Sequence, residues 1–281
     1  MRARTAQRLF IGEHMDAPVI GYLNQGEVAV FSARSPDKET VNEDAAALID
    51  LGGGNAILAV ADGAGGMAAG HEASSIAMHT LAATFGPAED EGSGTRDAVL
   101  NAIESAARQI AELGIGAATT FAAVELSDAT ARPYHVGDSM ILSTGQRGRL
   151  KLQTVSHSPV GYAVESGLLD ATEAMHHEER HIVSNMVGTP DMRIEIGAAM
   201  RLEPRDTLVL ATDGLFDNLH VWEIVELVRK GPLRLAADRL AQACRGRMLH
   251  PAHEQPSKPD DLTFILYRRT ATGGGRRRPP G

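Results

Sequence analysis

The chain has one cysteine, Cys244, one tryptophan, Trp222, and only 4% aromatic residues. A single cysteine excludes an internal disulfide framework and fits a reducing, cytoplasmic setting. No apolar run reaches the roughly 18 residues that a membrane helix needs, so no membrane span is expected. The opening Met1-Arg2-Ala3-Arg4 is not followed by an apolar core, and no secretory leader is expected either. Basic residues are also in deficit: the formal net charge is -9, which argues against a general nucleic-acid binder. The one basic cluster, Arg276-Arg277-Arg278, falls in a glycine- and proline-rich tail over 271–281 that reads as a solvated, disordered end.

What is present is ordinary globular material, 281 residues with 43% hydrophobic and 22% charged, enough for one large domain. Residues 1–20 lack clean periodicity and read as an extension to a domain over 21–270. Glu27 to Ala33 is predicted as a strand, bounded by Gly26 and by Ser35-Pro36-Asp37. Two apolar runs, Ala45 to Ile49 and Ile57 to Ala61, flank Gly52-Gly53-Gly54 and read as a β-hairpin. Gly66 to Phe85 and a stripe of Val99, Ile103, Ala106 and Ile110 predict two helices. Thr119 to Leu126, the residues around Gly137-Asp138-Ser139, Lys151 to Val155 and Thr207 to Ala211 predict further strands, those around Gly137 as a second hairpin pair. Residues 157–190 carry His157, His176, His177 and His181 with little apolar periodicity, and read as an inserted lid. Helices over 218–230 and 233–248 and a last strand from Leu262 complete the chain. Hairpins with helices in pairs suggest an antiparallel sheet system flanked by helices.

Four aspartates share one feature. Asp44 and Asp260 are placed where strands open, and Asp62 and Asp213 where strands close. In antiparallel sheets such positions meet on one rim. The midpoint of 44 and 62 is 53, the centre of the glycine turn, so a symmetric hairpin sets Asp44 opposite Asp62. Their Cα atoms would then be about 4.5–5.5 Å apart. Two carboxylates that close cannot both ionise unless a cation sits between them. Hard oxygen ligands suit magnesium, manganese or calcium, and four negative charges balance two divalent ions. Each Asp-Gly alone is an ordinary turn signal; the recurrence at four strand ends is what points to a metal. Gly63 and Gly214 would let backbone approach such an ion.

These residues fall in a familiar series. Asn42-Glu43-Asp44, Ala61-Asp62-Gly63-Ala64-Gly65-Gly66, Ala118-Thr119-Thr120, Val136-Gly137-Asp138-Ser139, Ala211-Thr212-Asp213-Gly214-Leu215-Phe216-Asp217 and Asp260-Asp261-Leu262-Thr263-Phe264-Ile265 resemble, in order, the motifs of the PP2C (PPM) metal-dependent protein phosphatases of the bacterial type. The resemblance spans roughly residues 22–270. It implies an α+β fold, a four-layer α-β-β-α sandwich of two antiparallel sheets flanked by helices. It also implies hydrolysis of phosphoserine and phosphothreonine by water at a centre of two or three Mn2+ or Mg2+ ions. Carried over, Asp44, Asp62, Asp213, Asp260 and the Gly63 carbonyl would hold the metals, with Glu43 acting through a water and Asp138 joining Asp213 at a third position. The partner would be a phosphorylated protein, with a serine/threonine kinase or its targets as candidates, and the lid would be the flap beside the site. Two positions depart from the pattern. Glu39 stands where the family often has a phosphate-binding arginine, leaving Lys38 or Arg34 for that role. Ala64 stands where eukaryotic members have a histidine; bacterial members also lack it.

Other readings are weaker. Gly63-Ala64-Gly65-Gly66-Met67-Ala68 fits a dinucleotide fingerprint of an oxidoreductase, but a hairpin precedes it instead of the first strand of a βαβ unit. A cysteine phosphatase needs an arginine six residues after its nucleophile, and six after Cys244 is His250. Cys244 and Trp222 read as helix core, and His177 with His181 as a solvated lid pair in place of a zinc site. A phosphatase fold that only binds a phosphoprotein is the non-enzymatic alternative.

Overall fold

The computed structural model describes residues 6–36, 38–66, 68–86, 94–253 and 255–270. The basic tail and most of the loop expected between the first two helices lie outside them. The chain opens with β1 (Ala6–Ile11), β2 (Val19–Leu23), β3 (Gly26–Ala33), β4 (Asp44–Gly52) and β5 (Asn55–Ala64), followed by α1 (Ala68–Thr84) and α2 (Thr95–Glu112). Next come β6 (Ala118–Thr119), β7 (Phe121–Ser127), β8 (Thr130–Val136), β9 (Met140–Thr144) and β10 (Leu150–Gln153). The lid holds α3 (Pro159–Glu165), α4 (Ala171–Ala174) and a 3-10 turn, Glu178–His181. Two short strands, β11 (Glu195–Ile196) and β12 (Met200–Arg201), lead to β13 (Thr207–Ala211), α5 (Asp213–Phe216), α6 (Val221–Val228), α7 (Leu233–Leu249) and β14 (Leu262–Arg269).

The strands form two sheets. One runs β1-β4-β5-β7-β8-β11, with β6 beside β5 and β12 beside β8; the other runs β10-β9-β13-β14-β3-β2. Every pairing is antiparallel. The central strands are near-continuous apolar runs because both their faces are covered. On β4 and β5, Ala45, Ala47, Ile49, Ile57, Ala59 and Ala61 pack with α1 and α2. The alternate residues Ala46, Leu48, Leu58 and Val60 pack between the sheets against Ile265 and Leu210. On β14, Phe264 and Leu266 turn outward to Leu240 and Cys244 of α7. The result is the four-layer α-β-β-α sandwich that the family resemblance implied.

Three local readings change. Residues 6–11, assigned to an extension, form β1 and pair with β4 from Ala6↔Asp50 to Ile11↔Ala45. A six-residue edge strand shows too little periodicity to be read alone. The segment around Gly137 is not a hairpin: β8 pairs with β7 in one sheet, β9 with β13 in the other, and the chain crosses between them. Gly137 makes this crossing at φ 103°, and a Cβ there would lie 2.7 Å from Thr120 Cγ2. Trp222 is 66% exposed, stacked on His220 with ring centroids 6.1 Å apart. The i, i+3, i+4, i+7 stripe of α6 is Val221, Ile224, Val225 and Val228, and position 222 lies off it. Cys244 is buried as expected, its thiol 3.1 Å from the Gly214 carbonyl oxygen.

Candidate active site

The hairpin register places Asp44 directly opposite Asp62. Across the sandwich, β13 ends beside the start of β14, with Ala211 opposite Phe264. Asp213 and Asp260 therefore sit on the same rim, one at the first turn of α5 and the other two residues before β14. A hydrogen bond from Thr212 Oγ1 to Asp44 Oδ2, 2.8 Å, ties the two sheets together at this edge. Asn42 orients the acid loop: its Oδ1 accepts from the Asp44 N–H at 2.9 Å, and its Nδ2 donates to Glu13 O and Ser32 Oγ, each at 2.9 Å. The Asp62 carbonyl oxygen is held by Thr120 N and Thr119 Oγ1, both at 2.8 Å.

Crowded like charge governs the chemistry of the rim. Burial raises the Asp62 carboxyl well above the usual range, reinforced by Asp44, Asp213, Asp260 and Asp138. Burial, with Asp261 the strongest repelling charge, does the same to Asp44 against the opposing hydrogen bond from Thr212. Asp138 is pushed up to about 8 by burial and by Asp213 and Asp217. Such a set is not stable as free carboxylates and calls for a cation. The donor atoms agree. Glu43 Oε1, Asp44 Oδ1 and Asp213 Oδ1 are buried oxygens without a hydrogen-bond partner among the described residues. Their hard-oxygen chemistry fits magnesium or manganese.

Two lysines border the acids, and the sequence reading missed one of them, Lys258. Lys258 Nζ lies 2.7 Å from Asp213 Oδ2, 2.8 Å from Asp217 Oδ2 and 3.0 Å from Asp260 Oδ2. Lys38 Nζ lies 2.5 Å from Glu43 Oε2 and 2.6 Å from Asp261 Oδ2. Asp261 also accepts from Ser35 N at 2.8 Å and Glu43 N at 2.7 Å, so it anchors the acid loop. Of the two residues named for phosphate binding, Lys38 reaches the rim. Arg34 is exposed and donates to the Glu39 carbonyl at 3.3 Å.

The glycines also allow close backbone packing behind the acids. A Cβ on Gly63 would stand 2.0 Å from the Gly70 carbonyl oxygen, and one on Gly214 would stand 1.9 Å from the Asp261 carbonyl oxygen. Close backbone packing behind each aspartate is therefore what excludes a side chain.

The lid closes over a cavity of about 300 Å³. Val160, Val164, Met175 and Phe216 form its apolar wall, and Asp138, Asp213 and Asp217 its acidic edge. His157, at the start of the lid, is only 4% exposed. Its ring lies 4.0 Å from that of His135, and with Glu195 the pair forms a cluster of donor atoms within 4.8 Å of one another. Hydrogen bonding explains the cluster without a metal. His157 Nδ1 accepts from Gly137 N at 3.2 Å and faces Asn185 Nδ2 at 2.7 Å, so Nε2 carries the proton toward Glu195 Oε2 at 3.1 Å. Burial and His157 lower the His135 pKa to about 4, keeping that ring neutral. Together these contacts brace Gly137 and so position Asp138. His177 and His181 do not share an α-helix: His177 precedes the 3-10 turn and accepts from Glu179 N at 3.1 Å.

Two antiparallel sheets between helix pairs, with a rim of clustered acids, define a metal-dependent phosphatase type of fold. The family described as protein phosphatase 2C matches residues 34–248, and the chain belongs to that family. A Streptococcus pyogenes protein described as protein phosphatase 2C-type is 32% identical over 202 residues, 68% of this chain and 80% of that protein. The serine/threonine phosphatase Stp1 from Staphylococcus aureus superposes with a TM-score of 0.75 at 26% identity, covering 93% of this chain and 100% of that one. The catalytic domain of the serine/threonine protein phosphatase PstP, solved in complex with two manganese ions, superposes with a TM-score of 0.67 at 23% identity, over 87% of this chain and 98% of that one. The chain is thus a protein phosphatase, and its substrates are phosphoproteins. No helix of the described residues is long and apolar enough to cross a membrane.

Proposed function

We propose that the chain hydrolyses phosphoserine and phosphothreonine at a centre of two divalent cations, manganese or magnesium, with room for a third. The observation that carries this reading is the convergence of Asp44, Asp62, Asp213 and Asp260 from four strand ends onto one rim, with buried oxygens of Asp44 and Asp213 lacking partners. Asp44, Asp62 and the Gly63 carbonyl would hold one ion, Asp213 and Asp260 would complete the other position, and Glu43 would act through a water. Asp138, beside Asp213, would serve a third ion. When bound, the ions neutralise the phosphoryl charge and lower the pKa of water toward neutrality.

The rest is work for the chain's own groups. Thr212 and Asn42 fix the Asp44 carboxylate, and Thr120 fixes the Asp62 backbone, so the acids need no rearrangement to bind cations. Lys38 would meet the phosphate, a role supported by its ammonium lying beside Glu43 and Asp261 at the rim, while Arg34 is engaged by the Glu39 carbonyl. No cysteine or serine nucleophile is required, in keeping with a buried Cys244 whose thiol is pushed far up by burial. The lid over 157–190 borders the site and would govern access for the protein substrate. A serine/threonine kinase or its targets as partners, a cytoplasmic location and a domain over 21–270 belong to the same reading, with β1 added at its edge. The test is p-nitrophenyl phosphate and phosphopeptide hydrolysis by protein stripped with chelator. Activity should vanish and return with Mn2+; turnover that survives chelation would contradict the reading, and inactivity with every divalent ion would favour a phosphoprotein-binding module.

A further inference from the structure

We propose that Lys258 is a resident cation of the centre, which competes with a divalent ion for the Asp213–Asp260 position and makes that position the weaker and last to fill. The inference rests on the two-cation reading above. An ammonium has three N–H donors. Lys258 spends all of them, one on each of Asp213, Asp217 and Asp260, at 2.7, 2.8 and 3.0 Å. The placement is built into the backbone. Asn218, fully buried, accepts the Lys258 N–H at 2.8 Å through Oδ1, and donates through Nδ2 to the Lys258 carbonyl at 2.8 Å and the Gly214 carbonyl at 2.9 Å. The side chain therefore enters the acid cluster from a clamped loop, directly behind the first turn of α5.

The opposite side of the rim has no such contact. Asp44 and Asp62 face each other with no lysine paired to either among the described residues, although each side keeps one unpartnered buried oxygen, Asp44 Oδ1 here and Asp213 Oδ1 there. The nearest ammonium there, that of Lys38, is engaged by Glu43 and Asp261. A divalent ion at Asp44 and Asp62 meets uncompensated charge. One at Asp213 and Asp260 must first displace an ammonium already paired with one oxygen of each carboxylate. Asp217, outside the proposed ligand set, gives the displaced ammonium an anion to remain with. Two consequences follow: unequal affinities for the two ions, and stabilisation of the acid cluster by Lys258 when divalent ions are scarce.

The experiment is calorimetric titration of Mn2+ into the metal-stripped full chain, for the parent, Lys258→Met and Lys258→Gln, with melting curves of the stripped and saturated proteins. The weaker Mn2+ affinity should tighten tenfold or more in either variant, the tighter one should stay within twofold, and the stripped variants should melt below the parent. Saturating Mn2+ should close the melting gap. A weaker affinity that is unchanged or further weakened in both variants would overturn the role of Lys258. A parent that takes up no Mn2+ at all would instead remove the two-cation reading, and this inference with it.

Discussion

The two sides of the acid rim solve the same electrostatic problem differently. On the hairpin side, Asp44 and Asp62 oppose each other with a single stabilising side-chain contact among the described residues, Thr212 to Asp44. On the α5 side, Asp213, Asp217 and Asp260 gather around the Lys258 ammonium. Both sides are closed behind by a glycine packed on backbone, Gly63 on Gly70 and Gly214 on Asp261. The difference teaches that a clustered acid site need not be uniform: one half is held ready for a cation and the other already contains a monovalent one. The desolvation cost of grouping carboxylates is only partly offset by the Thr212 hydrogen bond in the first half, and is offset by ion pairs in the second.

The sharpest way to break the comparison is to neutralise one acid on each side. Asp62→Asn should lower kcat about a hundredfold or more, the scale of losing one preorganised electrostatic contact in an active site. Asp217→Asn, which removes a carboxylate paired with Lys258 and outside the proposed ligand set, should cost about tenfold or less. Steady-state kinetics with Mn2+ check both, and equal losses would erase the distinction. The shared device comes next. Gly63→Ala and Gly214→Ala each force a Cβ into a carbonyl oxygen and should destabilise the fold by about 1–3 kcal/mol or more, as overpacking does. Thermal melts of the two variants should fall by several degrees; an unchanged Tm in either would show that the backbone yields there.

Acidity gives a smaller and graded effect. Burial, with Asp213 as the main neighbouring charge, raises Asp260 and Asp217 to about 6 and Asp138 to about 8. A carboxyl whose folded pKa is raised binds its proton more tightly folded than unfolded. The stability this confers is complete below about 4, the ordinary carboxylate value, and is lost as pH rises through about 6 and then about 8. Chelated protein should therefore melt lower at pH 8 than at pH 5.5, and Mn2+ should reverse the trend because it binds the deprotonated acids. A chelated protein whose Tm rises over that interval would contradict the sign. The smallest effect expected is at the mouth. Lys38→Gln should raise KM several-fold with little change in kcat, and Arg34→Gln should leave both within twofold. Equal effects of the two substitutions would remove Lys38 from the phosphate site.

Much of the hairpin side was legible in the sequence, because period and symmetry are local. The midpoint of 44 and 62 falls on Gly53, and the register follows it to the residue pair. The buried runs of β5 and β13 announced strands, and each ended near an acid. The α5 side was only half legible. Asp213 and Asp260 could be placed from strand ends, but Lys258 reaches them through the loop after α7, and nothing in Ser257-Lys258-Pro259 says where an ammonium points. The same limit hid the His135–His157 pair, whose partners come from two strands and the lid. Trp222 was misplaced because it lies one position off the buried stripe of α6, and β1 by its brevity.

The central claim is that the rim is a binuclear divalent centre responsible for turnover. It is tested most directly by measuring bound Mn2+ per chain and phosphopeptide hydrolysis on the same stripped samples as metal is returned. The expected result is at least two ions per chain, with activity rising as the weaker position fills. Full activity with one ion bound, or with none, would contradict it.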